Sequence, residues 1–372
     1  MDFRRIYFVA ALLMTMTVHA QQNFRFKHIA REMPAAWYGS VEAKAAADSV
    51  LKYQFPSGGW GKNQDWHMSP ENKKVHERQE IWKQIHSANG VGATIDNGAT
   101  TTEMLLLAKV YGATRQKIYR TGFIKGLNYL FAAQYGNGGW PQFYPLKPAS
   151  KKGQPAYSDH ITFNDNAIYN VMTTLRDIYE EKEPYNNLAL PKDLKEKAEK
   201  AFYKGIDCIL KCQIRKDGKL TVWCQQHDEK TFLPAPARSF ELVSFTGSHE
   251  TVNLLKLLMS LPQPSEEVIT AVTAAKEWLE AHAIQDMTLE EFTNQEGKRD
   301  RRLTHQFGSR IWARYYDIDT EEPFVCDRDG IKQPSLEFIG YERRNGYAWY
   351  GDQPEDIIRK YPKWLQKAKH TK

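Results

Sequence analysis

Two aspartates draw attention because each opens an Asp-Asn pair set behind a Gly-Gly-Trp element. Asp96-Asn97 follows Gly58-Gly59-Trp60, and Asp165-Asn166 follows Gly138-Gly139-Trp140. Paired carboxylates can divide general acid and base work, or hold a hard divalent cation through oxygen. Asp and Asn are also favoured helix N-caps, worth about 1 kcal/mol each, so both readings stand at this stage. Arginine is the second candidate chemistry. Arg238 lies in Ala237-Arg238-Ser239-Phe240-Glu241; Arg314 follows, then Arg328 inside Cys326-Asp327-Arg328-Asp329-Gly330. Guanidinium groups bind carboxylates through two parallel N–H donors, which suits an acidic ligand. Arg238 with Glu241 suits an ion pair equally well, and 327–330 a charged turn. His227 is too isolated to serve as a base or ligand. The chain has no phosphate loop ending in Lys-Ser/Thr, no His-Glu-x-x-His helix and no Gly-x-Ser-x-Gly elbow.

The elements that would position these residues repeat. A charged, amphipathic helix leads into a Gly/Trp element three times: Glu42–Gln54 into Trp60, Arg115–Gln134 into Trp140, and Lys192–Gln213 into Trp223. The tryptophans stand 80 and 83 residues apart. A fourth helix, Glu266–Ile284, keeps the period without its Trp. Between them lie helices apolar over most of their circumference, Asn97–Tyr111, Asn166–Tyr179 and Glu250–Leu261, which belong inside a larger structure. Alternating outer and inner helices at this period describe an α/α toroid, with short hairpins at the Gly-rich links. The polar Gln285–Arg302 segment reads as a surface loop. Counting from each Trp, Asp165 and Ser248 both lie 25 residues on, and Asp96 lies 36 on. About 11 extra residues within Gln64–Asn89 make up the difference. In this register Asp96 and Asp165 are equivalent and emerge at one end of the toroid.

Composition agrees with one large catalytic domain. The 372 residues are 41% hydrophobic and 26% charged, which excludes global disorder. A net charge of +6, without long basic tracts, does not suggest nucleic acid as a partner. Arg4-Arg5, the apolar run Ile6–Val18 and the small residues before Gln21 read as a signal peptide over residues 1–20. The mature chain, 21–372, is then secreted or periplasmic, with no membrane contact after cleavage. Cys208, Cys212, Cys224 and Cys326 read as buried free thiols.

In this order the motifs resemble polysaccharide lyase family ten, the pectate lyases. The matching stretches are 56–63 (PSGGWGKN), 94–102 (TIDNGATTT), 138–142 (GGWPQ), 161–172 (ITFNDNAIYNVM), 222–228 (VWCQQHD), 237–241 (ARSFE), 327–330 (DRDG) and 341–351 (YERRNGYAWYG). The resemblance implies an α/α toroid, Ca2+, a polygalacturonate substrate (demethylated pectin) and anti β-elimination by a monomeric enzyme. Carried over residue by residue, it places site carboxylates that also hold the metal at Asp96 and Asp165, and the base at Arg238. Lys62, Arg314 and Arg328 become substrate-binding residues. Ser248-His249-Glu250 departs from a Ser-Glu-Ser-like pattern and bears on one binding subsite. An ordinary arginine pKa of about 12.5–13.8 makes a neutral guanidine scarce. Calcium and the nearby cations are therefore expected to lower the proton affinity of Arg238. Two other functions compete. Asp96 and Asp165 could be the acid and base of a glycoside hydrolase, and Trp60 and Trp140 could be platforms of a non-catalytic sugar-binding protein.

Overall fold

Four tryptophans set the frame of the molecule, one more than the repeat count anticipates. The computed structural model describes residues 26–66, 82–83, 85, 91–147 and 157–370. The signal peptide and most of the extra segment before Asn89 lie outside these residues. After a short helix α1 (Phe26–Glu32), outer helices α2 (Val41–Lys52), α4 (Lys117–Ala133), α6 (Lys192–Cys212) and α8 (Glu266–Ala281) alternate with inner helices α3 (Thr101–Thr114), α5 (Ala167–Tyr179) and α7 (His249–Met259). Each inner helix packs on the outer helix that follows it, and neighbouring inner helices touch. Two further helices, α9 (Tyr341–Gly346) and α10 (Pro354–His370), complete the chain, and α10 closes over α7 and α8. The result is a helical toroid, as the alternation of apolar and amphipathic helices predicts. Among the described residues no helix is long and apolar enough to cross a membrane.

The repeat is a hydrogen-bonding device as well as a packing one. The fully buried indoles of Trp60, Trp140, Trp223 and Trp312 donate to the carbonyls of Val50, Leu130, Ile209 and Leu279, at 2.7, 2.8, 2.7 and 2.7 Å. The first three of these acceptors lie in α2, α4 and α6, and the fourth in α8. Glutamines at the ends of the first three outer helices bridge forward. The side-chain amide of Gln54 donates to Gly58 and Gly122, that of Gln134 to Gly138 and Ala201, and that of Gln213 to Thr221 and Ala271. The second acceptor of each pair belongs to the next outer helix, so one buried amide ties successive repeats together.

The fourth Trp is hidden in sequence by an insertion. The stretch expected as a loop is a long antiparallel hairpin, β1 (Ile284–Thr293) with β2 (Arg299–Ala313), and Trp312 stands at its far end. Its polar residues mislead because they are cross-strand charge pairs: Glu290 opposes Arg302 and Glu291 opposes Arg301. Burial also removes the tryptophan platforms. With Trp60 and Trp140 enclosed in the core, neither can stack on a sugar, and the sugar-binding reading loses its surface.

At the turns, glycine is required by contact and by dihedral. Gly138 has φ +96°, and a Cβ there would meet the Lys204 carbonyl oxygen at 2.0 Å. Backbone carbonyls of α6 cannot yield as a side-chain tip can. Gly138→Ala is expected to cost about 2 kcal/mol or more, read as a lower denaturation midpoint. The four cysteines are buried and unpaired, as expected.

Candidate active site

Three threonines give the register of the rim directly. The amides of Thr94, Thr162 and Thr246 donate to the carbonyls of Trp60, Trp140 and Trp223, at 3.0, 3.0 and 2.8 Å. Counting from these anchors, Asp96 is equivalent to Asn164 and Ser248, while Asp165 is equivalent to Asn97 and His249. Backbone conformation agrees. Asn97 and Gly98 have φ of +54° and +74°, and Asp165 and Asn166 have +48° and +63°. The register counted from Trp is one residue off at both places: the Trp-to-Thr connection of the third repeat is one residue longer than that of the second, and that of the first is 12 residues longer, not about 11. Neither aspartate caps a helix. Both sit in 3-10 turns, Asp96–Gly98 and Asn164–Asn166, ahead of α3 and α5, and those turns pack on each other. Asp165 is held in the left-handed region at a conformational cost, with no capping bond in return.

The two carboxylates have different surroundings. Asp96 is buried. Its Oδ2 accepts from Lys62 Nζ and from Gln142 Nε2 (2.7 Å), and its amide donates to Thr94 Oγ1 at 3.0 Å. Its Oδ1 is buried with no hydrogen-bond donor among the described residues. The Asp165 side chain is 24% exposed, and its Oδ1 accepts from Arg314 Nη2 at 3.0 Å. Burial alone would raise the pKa of Asp165; the charge and hydrogen bond of Arg314, helped by Arg238 and Lys62, hold it below the ordinary value. Asp165 is therefore a fixed anion and a poor proton donor, which argues against the glycoside-hydrolase reading: such an enzyme needs one carboxyl with a raised pKa.

Arg314 is not a free substrate clamp. Its buried guanidinium gives Nε to Glu250 at 3.1 Å and Nη2 to Glu250, Asp165 and Asn164. Glu250, in the stretch that departs from the family pattern, is thus the buried counterion beneath Asp165. Burial lowers the proton affinity of Arg314, but the charge of Glu250 more than reverses this.

Arg238 is 30% exposed and Glu241 grips it on one edge. Nε donates to Glu241 Oε2 at 2.9 Å and Nη2 to Oε1, which leaves Nη1 unbonded among the described residues. The expected lowering of its proton affinity is not what the surroundings produce. Burial does pull it down, yet the hydrogen bond and charge of Glu241 raise it above the ordinary arginine value, and Asp96 adds to that. Three guanidiniums flank the Phe240 ring: Arg343, Arg238 and Arg328 have Cζ at 4.1, 4.8 and 5.7 Å from its centre. Arg328 stands at the surface, 61% exposed and paired with Glu342, so it joins the cluster at the rim and not at the carboxylates. Buried Arg343, which also packs over Tyr347, has Nε and Nη2 without acceptors among the described residues. Sequence reasoning missed Gln142, Asn164, Glu250 and Arg343 as site residues; the Asn164-Asp165 doublet and the Arg343-Arg344 pair were the available signals.

Metal-ligating capacity is limited. Among the described residues, the group that could offer three His, Asp or Glu ligands is His160, Asp228 and Glu229, not Asp96 and Asp165. Asp228 Oδ1 in that group is already taken by the amides of Lys230 and Thr231 and the Thr231 hydroxyl. The donorless Asp96 Oδ1 and the partly open Asp165 are hard oxygens of the kind calcium takes, and they fit an ion whose shell other oxygens complete. His227 is structural. Its Nε2 accepts from the Cys224 amide at 3.1 Å and its Nδ1 faces the Phe232 carbonyl at 2.8 Å, while burial pushes its pKa down to about 4.

Below the Asp96 turn, buried Glu103 accepts from Trp66 Nε1 at 2.7 Å. Burial pushes its carboxyl up to about 7, against the pull of that hydrogen bond. The unfolded chain releases this proton near pH 4.5 and the fold holds it to about 7. Stability therefore falls across that window and levels off above it, by on the order of 3 kcal/mol. Glu103→Gln should melt above the wild type at pH 8 and differ little from it at pH 4, as read from thermal midpoints against pH.

The structure resembles the family 10 polysaccharide lyase from Cellvibrio cellulosa, with 33% identity, 92% of this chain and 95% of that one covered, and a TM-score of 0.73. It also resembles an aspartate-to-alanine mutant of that enzyme in complex with trigalacturonic acid, with 34% identity, 91% and 95% coverage, and a TM-score of 0.72. Fold and site together define a polysaccharide lyase on a helical toroid. The family model for pectic acid lyase matches residues 54–358, and the chain belongs to that family. A comparison with curated protein sequences finds no match.

Proposed function

We propose that the protein cleaves α-1,4-linked polygalacturonate by calcium-assisted anti β-elimination, with Arg238 as the base. The observation that carries this reading is the state of Arg238. Glu241 fixes the guanidinium by two nitrogens and leaves Nη1 unbonded among the described residues, with Asp96 and Asp165 close enough for their charges to act on Arg238. In the reaction the C5–H electron pair becomes the C4=C5 double bond, the C4–O bond breaks toward oxygen, and solvent protonates the leaving oxygen. Negative charge gathers on a uronate that is already anionic, so cations aimed at it lower the barrier. Lys62, paired with Asp96 and 29% exposed, contacts a substrate carboxylate in this reading, and Arg328 supplies positive charge at the rim. Arg314 acts through Asp165 as a positioning residue. Calcium, held by Asp165 and Asp96 Oδ1 together with substrate oxygens, would neutralise part of that charge when bound.

Residues 21–372 form one catalytic domain in this reading, active as a monomer. Residues 1–20 direct export to the periplasm or medium, which suits a polymer too large to enter a cell. The trigalacturonic acid bound by the Cellvibrio mutant supports the substrate class. Activity should fall with increasing methyl esterification, because esters remove the charges that Lys62 and the arginines recognise. It should also be abolished by exhaustive chelation and restored by added calcium. Equal rates on fully esterified and demethylated pectin, or full activity in chelator, would overturn the proposal.

A further inference from the structure

A cavity of about 380 Å³ opens directly behind the catalytic turn, within the size range of small-ligand sites, roughly 300–1,000 Å³. Its walls include Lys27, Asn63, Gln64, Asn97, Thr102 and Glu103. Asn63 and Asn97 follow Lys62 and Asp96 in the chain and are bonded to each other at 3.2 Å, so cavity and catalytic pair share their backbone. Helix α1 supplies Lys27 and is firmly seated. The Phe26 amide donates to Asp65 Oδ1 at 3.2 Å, and its buried ring meets Trp66 edge-on. This helix precedes the residues matched by the family model, so the lysine is a contribution of this chain outside that match.

The chemistry of the walls is lopsided. Above about pH 7, where Glu103 is ionised, its Oε2 and Gln64 Oε1 are buried acceptors with no donor among the described residues. Lys27 makes no ion pair among those residues, although it lies close enough to Asp165, Glu103 and Asp96 to feel their charges. Unmet acceptors call for O–H donors, and a lysine that makes no ion pair among the described residues can take an anion. A sugar acid supplies both on one ring. We propose that this cavity is an additional subsite for one galacturonate unit of the chain being cleaved. Lys27 takes its carboxylate, and Glu103 and Gln64 take its hydroxyls. The inference rests on the lyase reading and adds to it a subsite built by the N-terminal helix.

The test uses the full chain on galacturonate oligomers of three, four, five and six units. The wild type should gain kcat/KM at the length that first reaches the cavity. Lys27→Glu should flatten that gain, with a loss of about tenfold on the longer oligomers carried by KM, and a smaller loss on the trimer. Lys27→Arg should restore most of it, because the charge is kept. If Lys27→Glu follows the wild type at every length, or loses the same factor at every length, the subsite is wrong while the lyase stands. If no length yields unsaturated product from the wild type, the lyase reading fails and the subsite falls with it.

Discussion

Replacing Arg238 by alanine or by lysine lowers turnover by at least about 100-fold, the scale of a positioned acid–base group, while substrate binding changes far less. Lysine keeps a charge but cannot reproduce the fork by which Nε and Nη2 hold Glu241. The pH profile follows from the same contact. Glu241 raises the proton affinity of Arg238, so the neutral form is scarcer than for an ordinary arginine and grows with pH. Turnover should climb into the alkaline range, limited at the top by stability and not by a plateau near neutrality. The pairing opposes deprotonation, yet a stronger base gains driving force against the weakly acidic C5 proton. An Arg238→Ala variant that keeps its turnover and needs only more substrate would make Arg238 a binding residue.

Arg314→Met should be the most destabilising single change at the site, by about 3–5 kcal/mol, because it leaves the buried Glu250 and the partly buried Asp165 without their cation. Denaturant unfolding measures it. Adding Glu250→Gln should recover part of the loss, since the two residues form one pair. The pH dependence has a definite sign. Arg314 depresses the pKa of Asp165, so that share of stability is present above the unfolded value near 3.8 and fades as pH falls through the lower folded value. The variant should lose this acid limb. A loss below about 1 kcal/mol would mean that water enters and solvates the anions.

The toroid was legible because its signal is periodic. Outer helices are amphipathic, inner ones apolar, and each predicted helix appears within a few residues of its expected ends. Trp312 was not legible, because the β1–β2 hairpin separates it from Leu279 and the hairpin's cross-strand Glu–Arg pairs look like a polar loop. Site residues followed the same division. Asp96, Asp165, Arg238 and Lys62 sit together, but the equivalence of the aspartates is off by one residue, since aligning the two Asp-Asn pairs gives the first repeat 11 extra residues where its Trp-to-Thr connection has 12. The threonine amides that anchor each turn are invisible until the pairing is seen. Arg314 and Glu250 lie 64 residues apart in sequence and meet only in the fold. No local pattern could show that Arg314 faces inward and supports Asp165.

The most direct measurement is the chemistry of the new chain ends after purified protein digests demethylated polygalacturonate in calcium-containing buffer. Elimination leaves a conjugated 4,5-unsaturated uronate at each new non-reducing end, read as ultraviolet absorbance that rises in step with the new reducing ends. Incorporation of one water per cleavage, with saturated ends and no absorbance, would contradict it and return Asp96 and Asp165 to hydrolytic roles.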